Sequence, residues 1–75
     1  MMVLTEDNIP EVLDELFELS GKQKYVVAAK ADVHKNTLTH WLKGRVTPNL
    51  SQFIRVLAVF GKRLEVRDIE NRYRR

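Results

Sequence analysis

Apolar residues recur along this chain at helical spacing, in four blocks separated by turn-forming residues. Ile9, Val12, Leu13, Leu16 and Phe17 make an i, i+3, i+4 stripe. That stripe predicts a helix over about 9–19, with Asn8 as its cap, Pro10 tolerated in its first turn and Gly21 as its stop. A second helix is expected over about 23–30, burying Val27 and the small Ala28, which lets its neighbour approach closely. A third covers about 34–43, with Leu38, Trp41 and Leu42 on one side and Gly44 at its end. Pro48 and Asn49 open a fourth, running to about Phe60 and stopped by Gly61. Asn49 with Gln52 three residues on approximates a capping box, and Leu50, Phe53, Ile54 and Leu57 supply the buried stripe. The fold class is therefore all-α, a compact bundle of four helices.

The tail departs from this rhythm. In Arg63-Leu64-Glu65-Val66-Arg67 apolar and charged residues alternate, as in a half-buried strand. A lone strand leaves its backbone unpaired. Its simplest partner is the same strand in a second copy, which makes Leu64 and Val66 dimer-contact candidates. The alternative is a fifth helix, since Val66, Ile69 and Tyr73 also fit i, i+3, i+7. Arg72, Arg74 and Arg75 form a basic end.

The middle of the chain carries most of the functional information. In Lys24–Gly44 two short helices flank a tight turn at Ala31-Asp32-Val33, which is the pattern of a helix-turn-helix. On the wheel of the second of these helices, Lys35, Asn36, Thr39, His40 and Lys43 fall within roughly 140° of arc, opposite Leu38, Trp41 and Leu42. One side packs. The other is polar and basic, and in this arrangement it can face the major groove of DNA. Trp41, on the packing side, reads as core.

Charge sharpens that picture. The net charge is a modest +3, but residues 1–20 hold six acids and no Lys or Arg, whereas residues 21–75 hold thirteen bases against four acids. Segment 22–45 has Lys22, Lys24, Lys30, Lys35, Lys43 and Arg45 against Asp32 alone. Such a split orients a molecule on a polyanion.

Composition bounds the rest. Seventy-five residues make one domain, 1–75, with one small core to which dimerisation would add buried surface. In this reading 61–75 serves as the dimerisation segment and basic tail. There is no cysteine, which fits a reducing cytoplasm. No apolar run approaches the roughly 20 residues that span a membrane, and the N-terminus does not read as a signal peptide. His34 and His40 lie about 120° apart on a helix, not on one metal-binding edge. Ser20 and Ser51 show no nucleophile-base pairing, and there is no glycine-rich phosphate loop. No catalytic residue, metal or cofactor is expected, and so no enzyme. An RNA-binding adaptor is disfavoured for want of an exposed aromatic platform.

The run LSGKQKYVVAAKADVHKNTLTHWLKGRVTPNLSQFIRVLAVFG, residues 19–61, resembles the lambda-repressor-like (Xre-type) helix-turn-helix family. The resemblance is carried by Val27-Ala28, Asp32-Val33, Leu38, and Gly44 with Pro48. It implies a bundle of four or five helices that binds duplex DNA as a dimer. It also implies roles by position: Lys35, Asn36 and His40 read bases, with Thr39 on the same face. Lys24, Lys43 and Arg45 contact phosphates. The family's helix-two glutamine falls at Lys24, with Gln23 just before it, and amides near Asn49 offer one more phosphate site. The chain departs from the pattern at Asp32, where the turn usually has glycine, at His34 in place of a Ser or Thr cap, and at Leu42. The function implied is a sequence-specific double-stranded DNA-binding transcriptional regulator, a dimeric repressor on a palindromic operator. The alternative is an antitoxin or accessory module whose main partner is another protein, a toxin or other regulator, meeting the acidic first helix or the tail. Some antitoxin-type repressors of the family end in an intersubunit strand that this tail resembles.

Overall fold

The computed structural model describes residues 3–66. Four helices follow one another: α1 Ile9–Ser20, α2 Lys24–Ala31, α3 Lys35–Leu42 and α4 Leu50–Val59. α2 packs against both α3 and α4, and α1 packs against α3. Each helix contributes one edge to a single core of Leu13, Leu16, Val27, Ala28, Ala31, Leu38, Trp41, Phe53, Val56 and Leu57. Trp41 is the largest side chain fully enclosed there, and its ring meets Phe53 edge-on with centroids 6.1 Å apart. Phe17 and Phe60 make a second edge-on pair at 5.1 Å, tying the end of α1 to the end of α4.

Three of the four helices stop by the same backbone device. After α2 the amide of Asp32 donates to Ala29 O and that of Val33 to Ala28 O. After α3, Gly44 donates to Trp41 O and Arg45 to His40 O. After α4, Gly61 donates to Ala58 O and Lys62 to Leu57 O. These are paired reverse hydrogen bonds around a left-handed residue, which satisfy carbonyls the helix leaves free. The left-handed residue is glycine at 44 and 61, but Asp32, at φ 58°, takes that place in the helix-turn-helix itself. A side chain in this conformation costs roughly 1–2 kcal/mol, somewhat less for Asp. Asp32→Gly is therefore expected to stabilise the fold by about 0.5–1 kcal/mol, net of glycine's greater unfolded freedom. Thermal melts should show a midpoint about 3–6 °C higher. A midpoint at or below the parent's would mean that the turn carries no such strain.

Arg55 closes the same turn from across the fold. Its Nε donates to Ala31 O at 2.8 Å and its Nη1 to Ser51 Oγ at 3.1 Å. A cation thus sits at the carbonyl end of α2, where the helix dipole favours it. Nothing local in the sequence signals a contact spanning 24 residues.

The structure corrects the sequence reading in three places. Leu50 and Ile54, expected in the buried stripe of α4, are exposed; Phe53, Val56 and Leu57 fill the core instead. Asn8 stands at the cap position of α1, but its side chain bonds no amide of that helix. It accepts from Thr5 N at 2.7 Å and donates to Val3 O at 2.8 Å, which folds the leading segment so that Leu4 packs on the core. No strand forms among the described residues: 62–66 follow no regular pattern, because a strand exists only against a partner and none of the described residues offers one. The remainder of the tail reading, from Arg67 through Ile69, Tyr73 and Arg72, Arg74 and Arg75, lies outside the described residues.

Candidate nucleic-acid interface

α3 is the element on which the interface depends, and its orientation is set from beneath. Leu38 and Trp41 are buried, so the opposite face must point outward. Its first turn is fixed by His34, whose Nδ1 accepts from the Asn36 amide at 3.1 Å. An imidazole thus performs the capping role more often filled by Ser or Thr. Lys35 and Asn36 follow at once, both exposed. The Asn36 side-chain amide makes no hydrogen bond within the described residues, which leaves both its donor and its acceptor available.

The other two outward residues are more constrained. Thr39 Oγ1 donates back to Lys35 O at 3.3 Å, so its hydroxyl has only acceptor capacity and its methyl to offer. His40 is half-buried, and its Nδ1 is enclosed without a hydrogen-bond partner. Only the other ring nitrogen remains to meet a ligand. The sequence could not show this, because burial at position 40 depends on neighbours that the helical wheel omits.

Beside α3 lies an open depression of about 460 Å³. Gln23, Lys24, Lys35 and Thr39, four of the residues singled out from sequence, line it together. Lys22, Tyr25, Leu42, Phe17 and Asp14 complete its walls. Gln23 caps α2 without a side-chain hydrogen bond, so no side chain at the cap satisfies the first amides of that helix. Tyr25 is a contributor that the sequence reading passed over, and Lys22 entered it only through the charge of segment 22–45. Tyr25 is 61% exposed, which qualifies the expectation that no aromatic faces solvent. Asp14 brings the one carboxylate into an otherwise basic surround.

Asn36, His40, Lys43, Arg45 and Asn49 stand outside this depression. Lys43 and Arg45 continue the basic edge past the end of α3, and the Arg45 amide is held by His40 O at 2.9 Å. The Asn49 side chain caps α4 by accepting from Gln52 N at 2.8 Å. The cap occupies that side chain and leaves the Leu50 and Ser51 amides as the open donors of this helix start. None of Lys22, Lys24, Lys35, Lys43 or Arg45 forms an ion pair among the described residues, so their charge is uncompensated at short range. Leu64 and Val66 are exposed, and Leu64 also lines a small apolar cavity with Leu4, Val12, Leu16, Phe53 and Leu57. Among the described residues no cluster of His, Asp and Glu could hold a metal ion, and no helix is long and apolar enough to cross a membrane.

Comparison with known proteins agrees with this geometry. A family model described as helix-turn-helix matches residues 13–67, which takes in all four helices from the second turn of α1 onward. No curated protein and no solved structure matches. The matched span, the left-handed turn between α2 and α3 and the exposed basic face of α3 lead to one assignment: the chain belongs to the lambda-repressor-like (Xre-type) helix-turn-helix family of DNA-binding regulators.

Proposed function

We propose that the protein is a sequence-specific repressor that binds a palindromic operator as a dimer, with α3 in the major groove. The observation that carries this reading is the pairing of an unengaged Asn36 and Lys35 with a flanking set of unpaired cations. Asn36 suits bidentate pairing with adenine, and Lys35 suits the acceptors of guanine. Thr39 and His40 make narrower contributions, as an acceptor and through one ring nitrogen. Gln23, Lys24, Lys43 and Arg45, with the amides next to Asn49, fix register on the phosphates. Two copies read half-sites about 10 base pairs apart, with Leu64 and Val66 exposed to join them.

Asn36→Ala tests the base-reading role. The variant should lose about 1–3 kcal/mol of operator affinity while its affinity for random duplex is nearly unchanged. Competition binding measures the ratio. An unchanged operator-to-random ratio would remove Asn36 from base reading.

One observation favours a second reading. Glu11, Asp14, Glu15 and Glu18 on α1 are exposed and form no ion pair among the described residues. That face suits a basic protein partner, as in an antitoxin. Retention of a neighbouring gene's product through purification, lost on neutralising these carboxylates, would establish it.

A further inference from the structure

Thr39 stands on the outward face of α3 with its hydroxyl turned inward. Its Oγ1 donates to Lys35 O at 3.3 Å, so the hydroxyl proton is committed to the helix itself. A threonine carries only two groups beyond its β-carbon. With one folded onto the backbone, the methyl group is what an approaching molecule meets.

The surroundings of that methyl group are apolar. Leu42 follows Thr39 at i+3, and both are half-buried in the wall of the depression beside α3. Phe17 of α1 and Tyr25 of α2 line the same depression. Lys24 and Lys35 line it too, and neither forms an ion pair among the described residues. The site is therefore a hydrocarbon patch between free cations. A phosphate suits the lysines but not the patch, which calls for an uncharged apolar group arriving on the same polyanion. In the major groove the four standard bases project one such group, the C5 methyl of thymine.

We propose that Thr39, backed by Leu42, is a subsite for a pyrimidine 5-methyl group. The inference rests on the reading of α3 as the groove helix. It goes beyond that reading by assigning the contact of Thr39 to its methyl group rather than its hydroxyl. The other groove-facing group of thymine is O4, an acceptor, and a hydroxyl left with lone pairs alone cannot pair with it. Lys35 and Asn36 read hydrogen-bonding edges, and Thr39 adds the one recognition that hydrogen bonds do not supply. Thymine and 5-methylcytosine both carry the group.

The probe is a duplex that the full chain selects from random-sequence DNA. Each thymine is replaced in turn by deoxyuridine, which lacks only the methyl group, and affinity is measured by competition. At one thymine of a half-site the parent should lose about fourfold, the worth of one buried methyl group. Thr39→Ser keeps the hydroxyl but has no methyl group, and should bind both duplexes equally. Thr39→Val keeps a methyl group in place and lacks the hydroxyl, and should discriminate as the parent does. If no thymine shows the loss, or if Thr39→Ser retains it, the inference fails. It fails also if Thr39→Val ceases to discriminate, since the hydroxyl then reads the base. Cytosine and 5-methylcytosine at the same position separate the two sources. A gain of about fourfold on methylation, absent in Thr39→Ser, extends the subsite to methylcytosine, and no gain restricts it to thymine. Failure of the broader reading looks different: the parent would bind selected and random duplexes alike, and both proposals would fall together.

Discussion

Raising salt from 50 to 200 mM is expected to weaken operator binding about a thousandfold. Lys24, Lys43 and Arg45 from each of two copies would neutralise about six phosphates, and each neutralised phosphate releases condensed counterions. The slope of log K against log salt is then about −5. The structure makes these residues effective because none is engaged by an acid of its own chain within the described residues, so no internal ion pair must break on binding. Arg45→Ala should make the slope shallower by about 2, one contact per copy, and weaken all sequences alike. A parent slope shallower than about −2 would show that this edge does not lie along the phosphates.

Trp41→Ala should have the largest effect on stability. Truncating a fully buried aromatic residue costs about 3–5 kcal/mol through lost burial and the cavity left behind. At roughly 0.05–0.15 kcal/mol per residue, a chain of this length has about 4–11 kcal/mol in total. The substitution therefore removes between about a quarter and all of it. Trp41 supports α3 from below and meets Phe53 of α4, so its loss loosens α3 and the element behind it together. Urea unfolding should show a much lower midpoint, and operator binding should fail in parallel. Asn36→Ala, by contrast, should leave the midpoint in place, which separates a folding defect from a recognition defect. A midpoint for Trp41→Ala within about 1 kcal/mol of the parent would show that the core is not organised around this ring.

What the sequence revealed depended on how local each cause was. Asp32 was legible as a left-handed turn because that geometry follows from one residue and its place between two helices. Trp41 was legible as core because its neighbours on the wheel, Leu38 and Leu42, are apolar. Leu50 and Ile54 were not legible. Apolar residues span about 260° of α4's circumference, and periodicity cannot say which part of that arc finds a neighbour. Asn8 was placed at the correct helix boundary with the wrong bond, since an Asx side chain can turn back to the preceding backbone as readily as forward to a cap. At the interface, the face of α3 was readable from residue types. The enclosed Nδ1 of His40, the returned hydroxyl of Thr39 and the part of Tyr25 and Asp14 in the adjoining depression came only with the tertiary arrangement.

The hydrogen bond from the Arg45 amide to His40 O has a mechanical consequence. It fastens a residue proposed to grip the phosphate backbone to one proposed to touch a base, less than two turns apart on a helix end that glycine has already turned. Grip and touch then move as one solid piece, like the two jaws of a calliper set to a single gap. When a site's groove is wider or narrower than that gap, the accommodation falls to the DNA, and the bending or twisting it must undergo becomes part of what the protein discriminates.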